Sequence, residues 1–238
     1  MPRKKKSHTD ALPMVVSPVT DVVRIMNGTG ELAKVDAVYH VAAVHPSAEG
    51  PWMTEADKIA WTDPMTGYGC IIRRSPNGRH LCGYVSVPPS HPLFGRGFRT
   101  LAGIGIGIHG GLDYSAECEQ RESEDRSVCH VVKRTVADDF KHRVHANAAA
   151  DRHDDAWWFG FSCDQRTDIV PDLGRSGTRG WKEPRLGVED PSYKTEGFVF
   201  EECVRLAVQL KAIDDGRDPA EADPGPTSVG HSARKLGR

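Results

Sequence analysis

Imidazole, thiol and carboxylate side chains stand at four points of this chain where chemistry could occur: His109 with Asp113, His130 beside Cys129, Cys163, and Asp168. Such groups bind zinc and other borderline metals, and a metal held by them acidifies a water for hydrolysis. A metal set of His109, His130 and Cys163, with zinc or manganese as the ion, matches no H-E-x-x-H or C-x-x-C spacing and must be gathered from distant segments. The same residues allow a thiol nucleophile, Cys163 or Cys129, with a histidine taking its proton. The plain alternative is packing, with His109 and His130 as hydrogen-bonded core residues and Cys163 as a small buried hydrophobe.

The element expected to present His109 is the stretch Ile104-Gly105-Ile106-Gly107-Ile108-His109-Gly110-Gly111-Leu112-Asp113-Tyr114-Ser115. Isoleucine alternating with glycine predicts a strand with one face in a core and the other bare enough to admit a ring, a ligand or another backbone. Such a strand delivers His109, Gly110, Gly111, Asp113 and Tyr114 to a cleft. The glycines formally match G-x-G-x-x-G, but they sit inside the apparent strand and no long helix opens after them, which argues against a dinucleotide fold. Trp157 and Trp158 are candidates for a pocket wall, although a strand turns only one of the two rings inward. Arg166 opens a loop, 164–195, whose arginines, lysines and glycines suit phosphate, while six acidic residues in the same loop balance them.

Around these residues the sequence predicts an α+β fold, an antiparallel sheet backed by a C-terminal helix, with flexible tails. Residues 1–18 read as a disordered basic arm, 19–213 as one domain and 214–238 as a disordered tail. Leu32, Val35, Val38 and Ala42 recur at helical spacing, and Val22 to Met26 suits either helix or strand. Asp63-Pro64-Met65-Thr66-Gly67 is turn chemistry. Asn77-Gly78 predicts a type I′ hairpin that sets Cys70 opposite Val85 and Arg73 opposite Cys82. Ala156 to Cys163 reads as a further strand. Val199, Cys203, Leu206, Leu210 and Ile213 step as the apolar stripe of a helix that Gly216 ends.

Across 238 residues the formal charge is −2, which gives no global attraction to nucleic acid or to a membrane surface. Cationic runs at Arg3 to Lys6 and from Lys133 to Arg152 read as solvated surface, so nucleic acid is disfavoured as a partner. The first residues lack the apolar stretch of a secretory signal, which predicts a cytoplasmic location. The six cysteines lie far apart, so reduced thiols are expected.

Five motifs occur in order: Cys70-Ile71-Ile72-Arg73-Arg74, Cys82-Gly83-Tyr84-Val85-x-Val87-Pro88-Pro89-x-His91-Pro92, His109-Gly110-Gly111-Leu112-x-Tyr114-Ser115, Cys129-His130-Val131 and Trp157-Trp158-Phe159-Gly160-Phe161-x-Cys163. Together they resemble an uncharacterised family of small proteins encoded by bacteriophages and actinobacteria, over roughly residues 60–210. The resemblance implies a setting in the host bacterial cytosol and carries no catalytic roles. Where relatives read Asp-Cys-x-His, this chain has Ser162-Cys163-Asp164-Gln165, and the missing histidine favours binding over turnover. The expected function is binding of a small polar ligand, phosphorylated or nucleotide-like. The alternatives are a metal-assisted hydrolase using His109, His130 and Asp168, and a protein-interaction or virion component.

Overall fold

The computed structural model describes residues 22–25, 32–130, 155–172, 191–225 and 232–234. The expected arm, 1–18, lies outside them, as do the cations from Lys133 to Arg152 and from Arg175 to Arg185.

Six strands form one sheet: β3 (Ala37–Tyr39), β4 (Lys58–Thr62), β5 (Gly69–Arg74), β6 (Leu81–Val87), β7 (Tyr114–Glu117) and β8 (Trp157–Ser162). Their order is β3-β4-β5-β6-β8-β7, with every neighbouring pair antiparallel. Two further strands, β1 (Val22–Ile25) and β2 (Leu32–Val35), make a separate hairpin. The helix expected from Leu32 is therefore replaced by β2 and β3. Val35, Ala37 and Tyr39 are buried at every second residue, so the β-branched content of this stretch outweighs its loose helical spacing.

The predicted register of the β5–β6 hairpin is observed, with Cys70 opposite Val85 and Arg73 opposite Cys82. Its turn differs from expectation. Pro76 has no N–H with which to close a two-residue loop, so Ser75 N donates to His80 O at 2.8 Å and the backbone turns left-handed at Gly78 and Arg79. The Asp63 turn is as expected, with the Asp63 carboxylate accepting from Thr66 N at 2.8 Å.

The sheet is buried on both sides. Ile72, Val85, Phe159 and Phe161 face the main core, while Ile71, Tyr84 and Trp158 face a second one. Helix α1 (Glu196–Asp214) covers the first face, packing on β5 and β6. Val199, Cys203, Leu206 and Leu210 are fully buried, and each such side chain contributes about 1.5–3 kcal/mol. Close approach depends on Gly83, where a Cβ would lie 2.5 Å from the Phe161 ring and 2.7 Å from Cys203 Sγ. The helix ends at Gly216 as predicted, with Arg217 N donating to Ala212 O at 2.7 Å.

Beyond residue 214, where a disordered tail is expected, α2 (Pro219–Ala222) packs on α1. Asp223 accepts from Arg205 Nε at 2.5 Å and from Nη2 at 2.6 Å. Strand β10 (Ser232–Arg234) pairs with β9 (Ser192–Lys194). Among the described residues no helix is long and apolar enough to cross a membrane.

Candidate functional site

The Ile/Gly segment is extended but is not a strand of the sheet. Gly105 turns left-handed, and the edge of β8 that a strand here would need is taken by β7, after the turn at Gly110 and Gly111. Its backbone bonds to side chains of α1 instead. Gly107 N donates to Gln209 Oε1 at 2.6 Å, Gln209 Nε2 donates to Gly107 O at 2.8 Å, and His109 N donates to Glu202 Oε2 at 2.8 Å. Ile104, Ile106 and Ile108 pack on the main core, and the bare glycine side admits the α2 segment, with Asp223 Oδ2 lying 2.7 Å from where a Gly107 Cβ would stand. The pattern of small and large residues was legible, but the partner of its backbone was not.

This segment carries His109 to a bond with Asp168. His109 Nε2 stands 2.8 Å from Asp168 Oδ2, with the carboxylate fully buried and the imidazole 17% exposed. The same oxygen accepts from Gln165 N at 2.9 Å. An ionised carboxylate only accepts hydrogen bonds, so the neutral ring carries its proton on Nε2 and leaves Nδ1 as its acceptor. The ring also meets Phe198 edge-on at 5.3 Å. Asp168 Oδ1 is buried with no hydrogen-bond partner among the described residues, and Lys194 Nζ lies 3.8 Å from it. Gly110 belongs to this cluster because its left-handed backbone, φ 68°, leaves the space that the Gln165 side chain fills, 2.5 Å from a would-be Cβ.

Cys163 lies near Asp168, in surroundings that favour the thiol over the thiolate. It is buried, and burial pushes its thiol pKa well above the ordinary range, with the Asp168 carboxylate adding to the shift. The other candidate thiol, Cys129, is bonded to Cys118 with a Cα–Cα distance of 4.8 Å, which corrects the expectation of six reduced thiols. Cys70, Cys82, Cys163 and Cys203 are free and buried.

His130 is not brought to His109. It is exposed, stacks at 5.0 Å from Trp158 and sits 3.2 Å from Ser86 Oγ, on the face of the sheet turned away from α1. The predicted metal set His109, His130 and Cys163 is thus not assembled, and no group of three or more metal-binding side chains occurs among the described residues. Strand alternation is the cause, since it sends Trp158 and its partner His130 to one side and Phe159, Phe161 and Cys163 to the other.

The remaining candidates are dispersed. Asp113 N donates to Gly160 O at 3.0 Å, and burial raises its carboxyl above the usual range against an opposing bond from Ser162. Tyr114 packs edge-on against Tyr84 at 5.0 Å and donates to Glu119 Oε1 at 3.3 Å. Trp157 lies under the 94–96 loop, donating to Arg96 O at 3.1 Å, so neither tryptophan walls the His109 site. Gly111 follows Gly110 in the turn, and Arg166 is exposed on the Asp168 loop.

Sequence reasoning missed several neighbours. His80 Nε2 lies 3.8 Å from Asp164 Oδ2, and burial lowers its pKa while the Asp164 and Asp168 carboxylates oppose that shift. Arg74 is fully buried, with Nε donating to Asp57 Oδ1 at 2.9 Å and Nη2 to Glu55 Oε2 at 3.2 Å. A signal for it existed: Arg74 continues the inward register of Cys70 and Ile72. Comparison with protein-family models, curated proteins and solved structures returns no match.

Proposed function

We propose that this chain binds a small polar ligand, phosphorylated or nucleotide-like, at the His109–Asp168 pair. The observation that carries the reading is the 2.8 Å bond between an imidazole that is mostly buried but still reaches solvent and a fully buried carboxylate. A buried acceptor behind the ring orients it and sets its tautomer, so that Nδ1 accepts a proton from a ligand hydroxyl or, once protonated, donates to an anionic oxygen. Arg166, exposed two residues before Asp168, supplies a guanidinium fork suited to phosphate. Binding is favoured over hydrolysis because the Cys163 thiol is held protonated and His130 lies on the other face of the sheet. The setting implied by the motif resemblance, a phage-encoded protein in the host bacterial cytosol, suits a protein that holds a host metabolite without turning it over.

The test is titration calorimetry of the purified chain against nucleoside mono-, di- and triphosphates and sugar phosphates, repeated with His109→Asn. At least one compound should bind, and the substitution should weaken it by about tenfold or more, equivalent to about 1.4 kcal/mol. Unchanged affinity in the variant, or no binding across the panel, would overturn the reading.

A further inference from the structure

A second site lies away from His109. A cleft of about 910 Å³ opens between the end of β5 and the loop closed by the Cys118–Cys129 disulfide, and neither His109 nor Asp168 lines it. The loop is held over the sheet by two cations: Arg73 Nη1 donates to Glu119 Oε2 at 2.7 Å and to Arg126 O at 2.6 Å, and Lys58 Nζ donates to Glu124 O.

The walls carry four arginines and five carboxylates, and no aromatic ring is among the lining residues. Stacking of a nucleobase is therefore not what this cleft offers. On its floor the charges are mutually satisfied. Asp57 accepts from Arg74, from His45 Nδ1 at 2.9 Å and from Val41 N at 2.7 Å, while Glu119 accepts from Arg73 and from Val128 N at 3.0 Å. At the rim, Arg121, Arg126, Glu117 and Glu122 are exposed and make no ion pair with another described residue. A ligand of one sign meets its own sign here as often as the opposite one.

One buried atom sharpens the requirement. Arg73, which lines the cleft, has its Nε donor buried without a hydrogen-bond partner among the described residues. Buried polar groups are nearly always paired, so an anionic oxygen is wanted beside this guanidinium.

We infer that this cleft takes a zwitterionic ligand, an amino acid or short peptide that carries both a carboxylate and an ammonium group. Its carboxylate faces Arg73 and Arg126, and its ammonium faces Glu122. The floor pairs remain intact on binding.

The probe is the dipeptide lysyl-glutamate, titrated into the full chain by calorimetry beside inorganic phosphate and spermidine as single-sign controls. The dipeptide should bind, and both controls should bind at least about tenfold more weakly. Arg126→Glu and Glu122→Lys lie at exposed positions and should leave the melting temperature unchanged while each weakens the dipeptide by about tenfold. His109→Asn should leave dipeptide affinity unchanged, which separates this site from the one proposed above. The inference fails if the dipeptide does not bind, if either control matches it, if both charge reversals bind as the parent does, or if His109→Asn abolishes binding.

Discussion

The side chain of Gln209 holds both backbone polar groups of Gly107, accepting from its N–H at 2.6 Å and donating to its carbonyl at 2.8 Å. A fully buried glutamine on the helix thereby replaces the neighbouring strand that an extended segment normally needs. Gln209→Leu leaves both groups without a partner and should cost about 1–3 kcal/mol. Urea unfolding measures that loss. Hydrogen exchange should rise at the amides of Gly107 and His109, because Gln209 and Glu202 anchor the same segment.

Asp168→Asn keeps the size of the side chain but removes the charge that accepts from His109 Nε2 and Gln165 N. Loss of charge-assisted bonds to a buried group should cost about 1–3 kcal/mol in urea unfolding. Imidazole nitrogen chemical shifts should also report a changed tautomer population at His109 while the other histidines stay as they were.

Arg74→Met strands two buried carboxylates, Asp57 and Glu55, without their counter-charge. Burial already raises the Glu55 carboxyl above its usual range despite the bonds from Tyr193 and Arg74. Removing one partner of a buried ion pair should cost about 3–5 kcal/mol, read from the shift in the urea midpoint at constant slope. The loss should shrink as pH falls and the Glu55 carboxyl becomes protonated.

Lys58 is buried on β4 and its pKa is lowered to about 8, chiefly by desolvation, with Glu124 opposing. The unfolded chain keeps this proton up to the ordinary lysine range, so between about pH 8 and 10.5 it binds more protons than the folded one and stability rises with pH. Below about pH 8 the cost of the buried charge is fully present, on the order of 3 kcal/mol. Lys58→Met should remove this rise, which unfolding curves at pH 7, 9 and 10 will reveal as a smaller difference between pH values than in the parent.

The Cys118–Cys129 bond closes a short loop over the cleft and restricts the unfolded chain. Reduction with a dithiol, or the double substitution Cys118→Ser and Cys129→Ser, should lower stability by about 2–4 kcal/mol. Cys118 and the four free cysteines are buried while Cys129 is partly exposed, so thiol labelling of the folded, reduced chain should modify Cys129 first.

Local and periodic features of the chain were decided by the sequence alone. The β5–β6 register followed from one Asn-Gly pair, the α1 stripe from residues three and four apart, and the β8 strand from its aromatic run, because each depends on neighbours within a few residues. Meeting of distant groups was decided only by the tertiary structure. His109 and Asp168 are 59 positions apart, and their contact depends on Gln209 and Glu202 holding one segment to the helix while the β9 edge holds the other. His130 and Cys163 were parted by the alternation of a single strand, which no spacing between them encodes. The buried charges of Arg74, Asp57 and Glu55 belong to the same class, since a carboxylate and a guanidinium read as solvated until packing removes the water around both.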